Sequence, residues 1–138
     1  MEINYLAVFL ASIAQFVVGA VWYMPLFGKT WRDIHGFDKL SKAEQKKAQD
    51  GMAPLLITQF IFTVITTVVL AKLSLLMPEE SLYKLALMLW VGFVVATQVS
   101  AVIFGGTQPK WFVRKIAVMA GGSLACLLVA AAILTNVN

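Results

Sequence analysis

Four stretches of this chain carry no acid and no base, and each is long enough to cross a bilayer as a helix. They are Ile3–Gly28 (26 residues), Gly51–Ala71 (21), Leu85–Pro109 (25) and Ile116–Asn138 (23). The hydrocarbon core of a membrane takes about 20 apolar residues of helix. Lipid offers the backbone no partners, so only helices and closed barrels span it. None of the runs alternates apolar and polar residues as a barrel strand must. The expected fold is all-α: an integral membrane four-helix bundle, one transmembrane domain over residues 1–138. Its spans are expected at about residues 4–25, 52–76, 81–105 and 112–136.

Composition supports lipid as the solvent. Hydrophobic residues make up 60% of the chain, mean hydropathy is +0.83, and charged residues are 13%, roughly half the share of a globular domain. The chain opens Met1-Glu2-Ile3-Asn4, without the basic leader of a cleaved signal peptide, so the first run reads as a retained span. One cysteine, Cys126, allows no intrachain disulfide and no cysteine cluster. The net charge of +4 does not point to nucleic acid, because the basic residues lie between apolar spans rather than on one phosphate-binding face.

Those basic residues set the orientation. Nine fall in the first and third loops: Lys29, Arg32, Lys39, Lys42, Lys46 and Lys47, then Lys110, Arg114 and Lys115. The second loop has two, Lys72 and Lys84. The positive-inside rule places the first and third loops in the cytoplasm and both termini outside. Punctuation agrees with four spans. Pro25 can end the first helix, and Pro54 fits the first turn of the second. Pro78-Glu79-Glu80 makes an outer turn, with acids favourable at the start of the third helix. Gly105-Gly106 and Pro109 break the chain after the third. Ser41-Lys42-Ala43-Glu44 is a capping box, which predicts a short cytoplasmic helix from Lys42 to Asp50 between spans one and two.

Membrane helices associate through small and polar residues, and every span has such a stripe. The first carries Ala11, Gln15, Gly19 and Trp22. The second carries Gln59, Thr63, Thr66 and Thr67. The third has Gly92, Ala96 and Ser100 with Thr97 and Gln98 alongside. The fourth has Ala117, Gly121 and Ala125, flanked by Gly122, Cys126 and Ala130. The four stripes are expected to converge. Gln15, Gln59, Thr63 and Gln98 are the polar intramembrane candidates, read either as interhelical glue or as the lining of a neutral polar path.

Aromatic and basic residues mix where the first helix exits: Trp22, Tyr23, Phe27, Gly28, Lys29, Trp31 and Arg32. Such a segment suits the interface, with indoles at headgroup level and basic side chains reaching phosphate. It either anchors helix depth or holds a specific anionic ligand. A faint internal echo links it to the third loop. Phe27-Gly28-Lys29-Thr30-Trp31 follows the first helix, and Phe104-Gly105-Gly106-Thr107, with Trp111 further on, follows the third.

The same region carries a family resemblance. Asn4-x-x-Ala7-Val8, then Phe16-x-x-Gly19-x-x-Trp22-Tyr23-x-Pro25-x-Phe27-Gly28-Lys29-x-Trp31, resembles the DUF1761 family of bacterial four-span membrane proteins. Trp90-x-Gly92-Phe93 and Lys110-Trp111-Phe112 extend the likeness over essentially the whole chain. The core is slightly shorter than the family's, since Leu26 alone separates Pro25 and Phe27. Members often carry a histidine in the last helix, and this chain has none there. The resemblance implies a bacterial inner-membrane protein and supplies no activity, substrate or cofactor.

His35 is the only histidine. With Asp33 and Asp38 it makes a thin metal or catalytic candidate, short of the three or four ligands zinc takes. No serine sits in a strand-turn-helix elbow, and no carboxylate lies within a span to carry protons. The sequence therefore reads as a non-enzymatic inner-membrane protein without cofactor or metal. It binds anionic lipid at the cytoplasmic face or a membrane partner, or forms a homo-oligomer. No nucleic acid or soluble small-molecule partner is indicated. The alternative is a small transporter or channel whose path is lined by glutamine and threonine.

Overall fold

The computed structural model describes residues 2–137. Helix α1 (Tyr5–Val21) starts on Asn4, whose side-chain oxygen accepts from the Ala7 N–H at 3.2 Å. It then widens into a π-helical segment, Trp22–Leu26, with Pro25 inside it. In a regular helix the Pro25 ring would strike the carbonyl four residues back, and proline has no N–H to donate. The wider turn accommodates it: the Phe27 N–H donates to the Trp22 carbonyl five residues back, at 2.9 Å. The break expected at Pro25 thus falls at Phe27, and the first span runs Tyr5–Leu26.

Helix α2 (Gly28–His35) and a 3-10 turn (Phe37–Lys39) follow. Helix α3 (Lys42–Asp50) starts at Ser41, whose hydroxyl accepts from the Glu44 N–H at 3.2 Å, half of the reciprocal capping box. Helix α4 (Met52–Leu76) is the second span. The third is α5 (Leu82–Leu89), a second π-helical segment (Trp90–Val95) and α6 (Ala96–Phe104). A 3-10 turn (Pro109–Trp111) leads into the last span, α7 (Phe112–Asn136). All four are long and apolar enough to cross a membrane.

Helix α7 is the shared support. Helix α1 packs along it, and the third span packs on it through α5, the π segment and α6. Helix α4 lies chiefly against α1 and meets α5 as well. The main core joins Ala7 and Ala11 of α1, Leu70 of α4, Ala86 of α5, and Ala130 and Ala131 of α7. The five alanines are fully buried, so the backbones approach closely and gain dispersion contact without a solvent-driven term. The chain's two ends are tied here: the Asn4 side-chain amide donates to the Val137 carbonyl at 3.1 Å.

The four stripes do not all converge. Ala11 and Gln15 of α1 and Gly122 and Ala130 of α7 are buried, but Gln59, Thr66, Gly92, Ala96, Thr97 and Ser100 are exposed on the outer faces of the second and third spans. Threonine needs no neighbouring helix. Thr63, Thr66 and Thr97 donate to the carbonyls of Gln59, Phe62 and Phe93, each four residues back, at 2.9, 2.9 and 2.6 Å. A hydroxyl satisfied within its own helix faces outward at little cost.

Candidate functional site

The exit of the first helix folds into an aromatic cluster. The π segment turns Trp22 onto α7, where its indole N–H donates to the Val118 carbonyl at 2.9 Å. The ring fills a notch made by Gly121 and Gly122: a Cβ on either would stand 2.8 or 3.0 Å from indole carbons. Phe27 lies against Trp22 at 4.7 Å between centroids. Tyr23 meets Trp31 edge-on at 4.9 Å, and Trp31 meets His35 at 4.4 Å. Gly28 is buried, and a side chain there would press on the Tyr23 carbonyl, 3.2 Å from the added Cβ.

The cation on this cluster differs from the expected one. Lys29 and Arg32 are exposed, and Arg32 pairs with Asp38 at 3.8 Å, a solvated contact of little weight. The ammonium near the Trp31 ring belongs to Lys115 at the start of the last span, 5.8 Å from the centroid. Lys115 Nζ also donates to Thr107 Oγ1 at 3.3 Å. The last span thereby bridges the first and third loops. The pairing depends on tertiary placement, which residue spacing does not encode.

Between these loops lies a cleft of about 390 Å³, within the usual size range of small-molecule pockets. Asp33, His35 and Lys39 line it from the first loop; Gly105, Gly106, Thr107, Lys110, Trp111 and Lys115 line the other side. His35 Nδ1 lies 2.9 Å from the Trp31 carbonyl. A carbonyl only accepts, so Nδ1 carries the proton and Nε2 is left for other partners. Lys110 and Arg114 both lie beside the Trp111 ring, at 5.6 and 5.5 Å. Among the described residues no three His, Cys, Asp or Glu side chains converge to hold a metal, and Asp38 is drawn away to Arg32.

The family model described as "Protein of unknown function (DUF1761)" matches residues 6–135. The chain belongs to the DUF1761 family. No curated protein and no solved structure is significantly similar to it.

In this DUF1761 protein the polar residues at membrane depth fall into separate pairs. Gln15 is buried, and its amide donates to Thr67 Oγ1 at 2.7 Å and to the Ala11 carbonyl at 3.2 Å. That links spans one and two. Gln98 donates to Ser123 Oγ at 2.6 Å, which links spans three and four. Trp90 repeats the Trp22 contact, donating to the Ala120 carbonyl at 2.8 Å. Gln59 is exposed, with its amide 3.5 Å from Thr63 Oγ1 on its own helix. The four candidates Gln15, Gln59, Thr63 and Gln98 do not line one passage, and none of them lines the cleft. Of the two Phe-Gly motifs only the second lines the cleft, through Gly105, Gly106, Thr107 and Trp111, facing residues that follow the first motif rather than the motif itself.

Proposed function

We propose that this chain is a non-enzymatic protein of the bacterial inner membrane that holds anionic lipid headgroups at its cytoplasmic end. The first and third loops then lie in the cytoplasm and both termini outside, as nine basic residues against two require. The observation that carries the binding reading is the position of Lys115, between the Trp31 ring and the Thr107 hydroxyl. It holds an ammonium group beside the Trp31 ring at one end of the bundle, with Lys110 and Arg114 next to Trp111. Each such cation near an anionic surface contributes about 1 kcal/mol. Reconstitution into nanodiscs tests this. Phosphatidylglycerol should raise the unfolding midpoint above that in phosphatidylcholine, and Lys115→Met should reduce the gain. Equal midpoints in the two lipids would remove the reading.

Exposure of the Gln59 amide on α4 supports self-association alongside headgroup binding. An exposed amide whose hydrogen bond is to Thr63 on its own helix gains from a partner helix, by about 0.6 kcal/mol per contact. Cross-linking through a cysteine at position 59 should give a dimer in membranes. The transport alternative draws no support from the glutamines, since Gln15 and Gln98 are engaged in different helix pairs.

A further inference from the structure

We infer that the cleft between the first and third loops is a binding site for a dianionic phosphate monoester group. The inference rests on the headgroup reading above and names the chemistry that reading leaves open.

Three ammonium groups line the cleft (Lys39, Lys110 and Lys115) against one carboxylate, Asp33. The lysines and the aspartate give a formal lining charge of three minus one, or +2. A phosphate monoester carries close to two negative charges at neutral pH and presents three terminal oxygens. A phosphodiester carries one charge and two free oxygens, and would leave an ammonium unmatched.

The backbone supplies further donors. Gly105 is near-helical (φ −94°, ψ 17°) and Gly106 is left-handed (φ 81°). A right-handed residue followed by a left-handed one turns successive N–H groups to one concave side, the anion-binding nest of phosphate loops. Gly105, Gly106 and Thr107, whose N–H groups belong to this turn, all line the cleft. The sequence is fitted to this turn, because a side chain at Gly105 would run into the Ala101 carbonyl and one at Gly106 would be strained by its φ. Thr107 accepts from Lys115, which leaves its own O–H to donate, and Lys115 keeps two further N–H groups.

A terminal phosphate of this kind is carried by a lipid such as phosphatidic acid or by free phosphate. Tryptophan fluorescence separates the sources, since Trp111 lines the cleft and Trp31 contacts Lys115. The full chain in phosphatidylcholine nanodiscs is titrated with phosphatidic acid, with phosphatidylglycerol, or with inorganic phosphate. The expected result is a saturable change with phosphatidic acid at about tenfold lower mole fraction than with phosphatidylglycerol, as lost charge-assisted hydrogen bonds dictate. Inorganic phosphate producing the change as well assigns the site to free phosphate; its failure assigns the site to lipid. A response to phosphate alone keeps the site and removes the headgroup reading. Equal responses to the two lipids overturn the monoester inference and leave the headgroup reading standing. No response in any arm overturns both.

Lys39→Gln and Lys110→Gln, both at exposed positions, should each weaken the response about tenfold. Lys46→Gln and Lys47→Gln, on α3 outside the cleft, should leave it unchanged. Equal loss in both pairs, or loss in neither, overturns the site. Gly106→Ala should weaken binding through the nest, and the lysine pair decides the matter if that variant does not fold.

Discussion

Trp22 and Val118, ninety-six positions apart, are joined by an indole N–H donating to a helix carbonyl at 2.9 Å, and the ring that makes this bond rests on two adjacent glycines, Gly121 and Gly122. The donor is set by a π-helical turn and the seat by the absence of two side chains. Neither half forms the contact alone.

Gly121→Ala and Gly122→Ala should each destabilise the bundle by about 1–3 kcal/mol, the usual penalty of overpacking a rigid contact. Thermal unfolding in detergent would measure it. Trp22→Ala should cost stability by itself yet abolish the added cost of Gly121→Ala, because the two share one contact. Additive losses would show that the ring does not sit in the notch.

Trp22→Phe keeps much of the ring and removes the donor. The expected loss is about 1 kcal/mol, and Trp90→Phe should behave alike through Ala120. A loss near zero for both would mean that the indole bonds are incidental to packing.

Gln15 and Thr67 should couple. Gln15→Leu and Thr67→Val, singly and together, form a cycle with an expected interaction energy of about 0.6 kcal/mol and a ceiling of about 1.7 kcal/mol. Gln59→Leu should leave monomer stability unchanged, since that amide faces outward.

Topology has an inexpensive test. A reporter active only outside the cytoplasm should be active when fused after Asn138 and silent when inserted near Lys46. The reverse pattern would overturn the orientation.

Much of this architecture was legible in the chain. Charge-free length places the spans, and Ser41 and Gly105-Gly106 mark where helices start or stop, because capping and turning are local acts. The face of Gln15 was legible from Ala11, four residues before it, but its role stayed open between interhelical contact and the lining of a path. The outward turn of Gln59, Thr66 and Thr97 was not. A polar residue in a span looks as if it needs a neighbour, but threonine closes its hydrogen bond on its own helix. The π segments at Trp22 and Trp90 were hidden because a widened turn leaves no composition signature beyond one proline, and Trp90–Val95 lacks even that. The contact of Lys115 with Trp31 depends on how the last span enters, which no local rule reports. The candidate cleft was half visible, as His35 and Asp33 on one side and a repeated Phe-Gly motif on the other.

The central place of α7 carries a consequence for how the protein is made. The third span rests chiefly on α7, with a smaller contact to α4, and both tryptophan donors find their acceptors on α7. During synthesis the first three segments enter the bilayer before their common partner exists. Until α7 has emerged from the ribosome, the third has little to settle against, and the indole N–H groups of Trp22 and Trp90 lack the carbonyls they meet in the fold. Assembly therefore waits for α7, and chains stalled before Phe112 should be the preferred prey of membrane quality-control proteases.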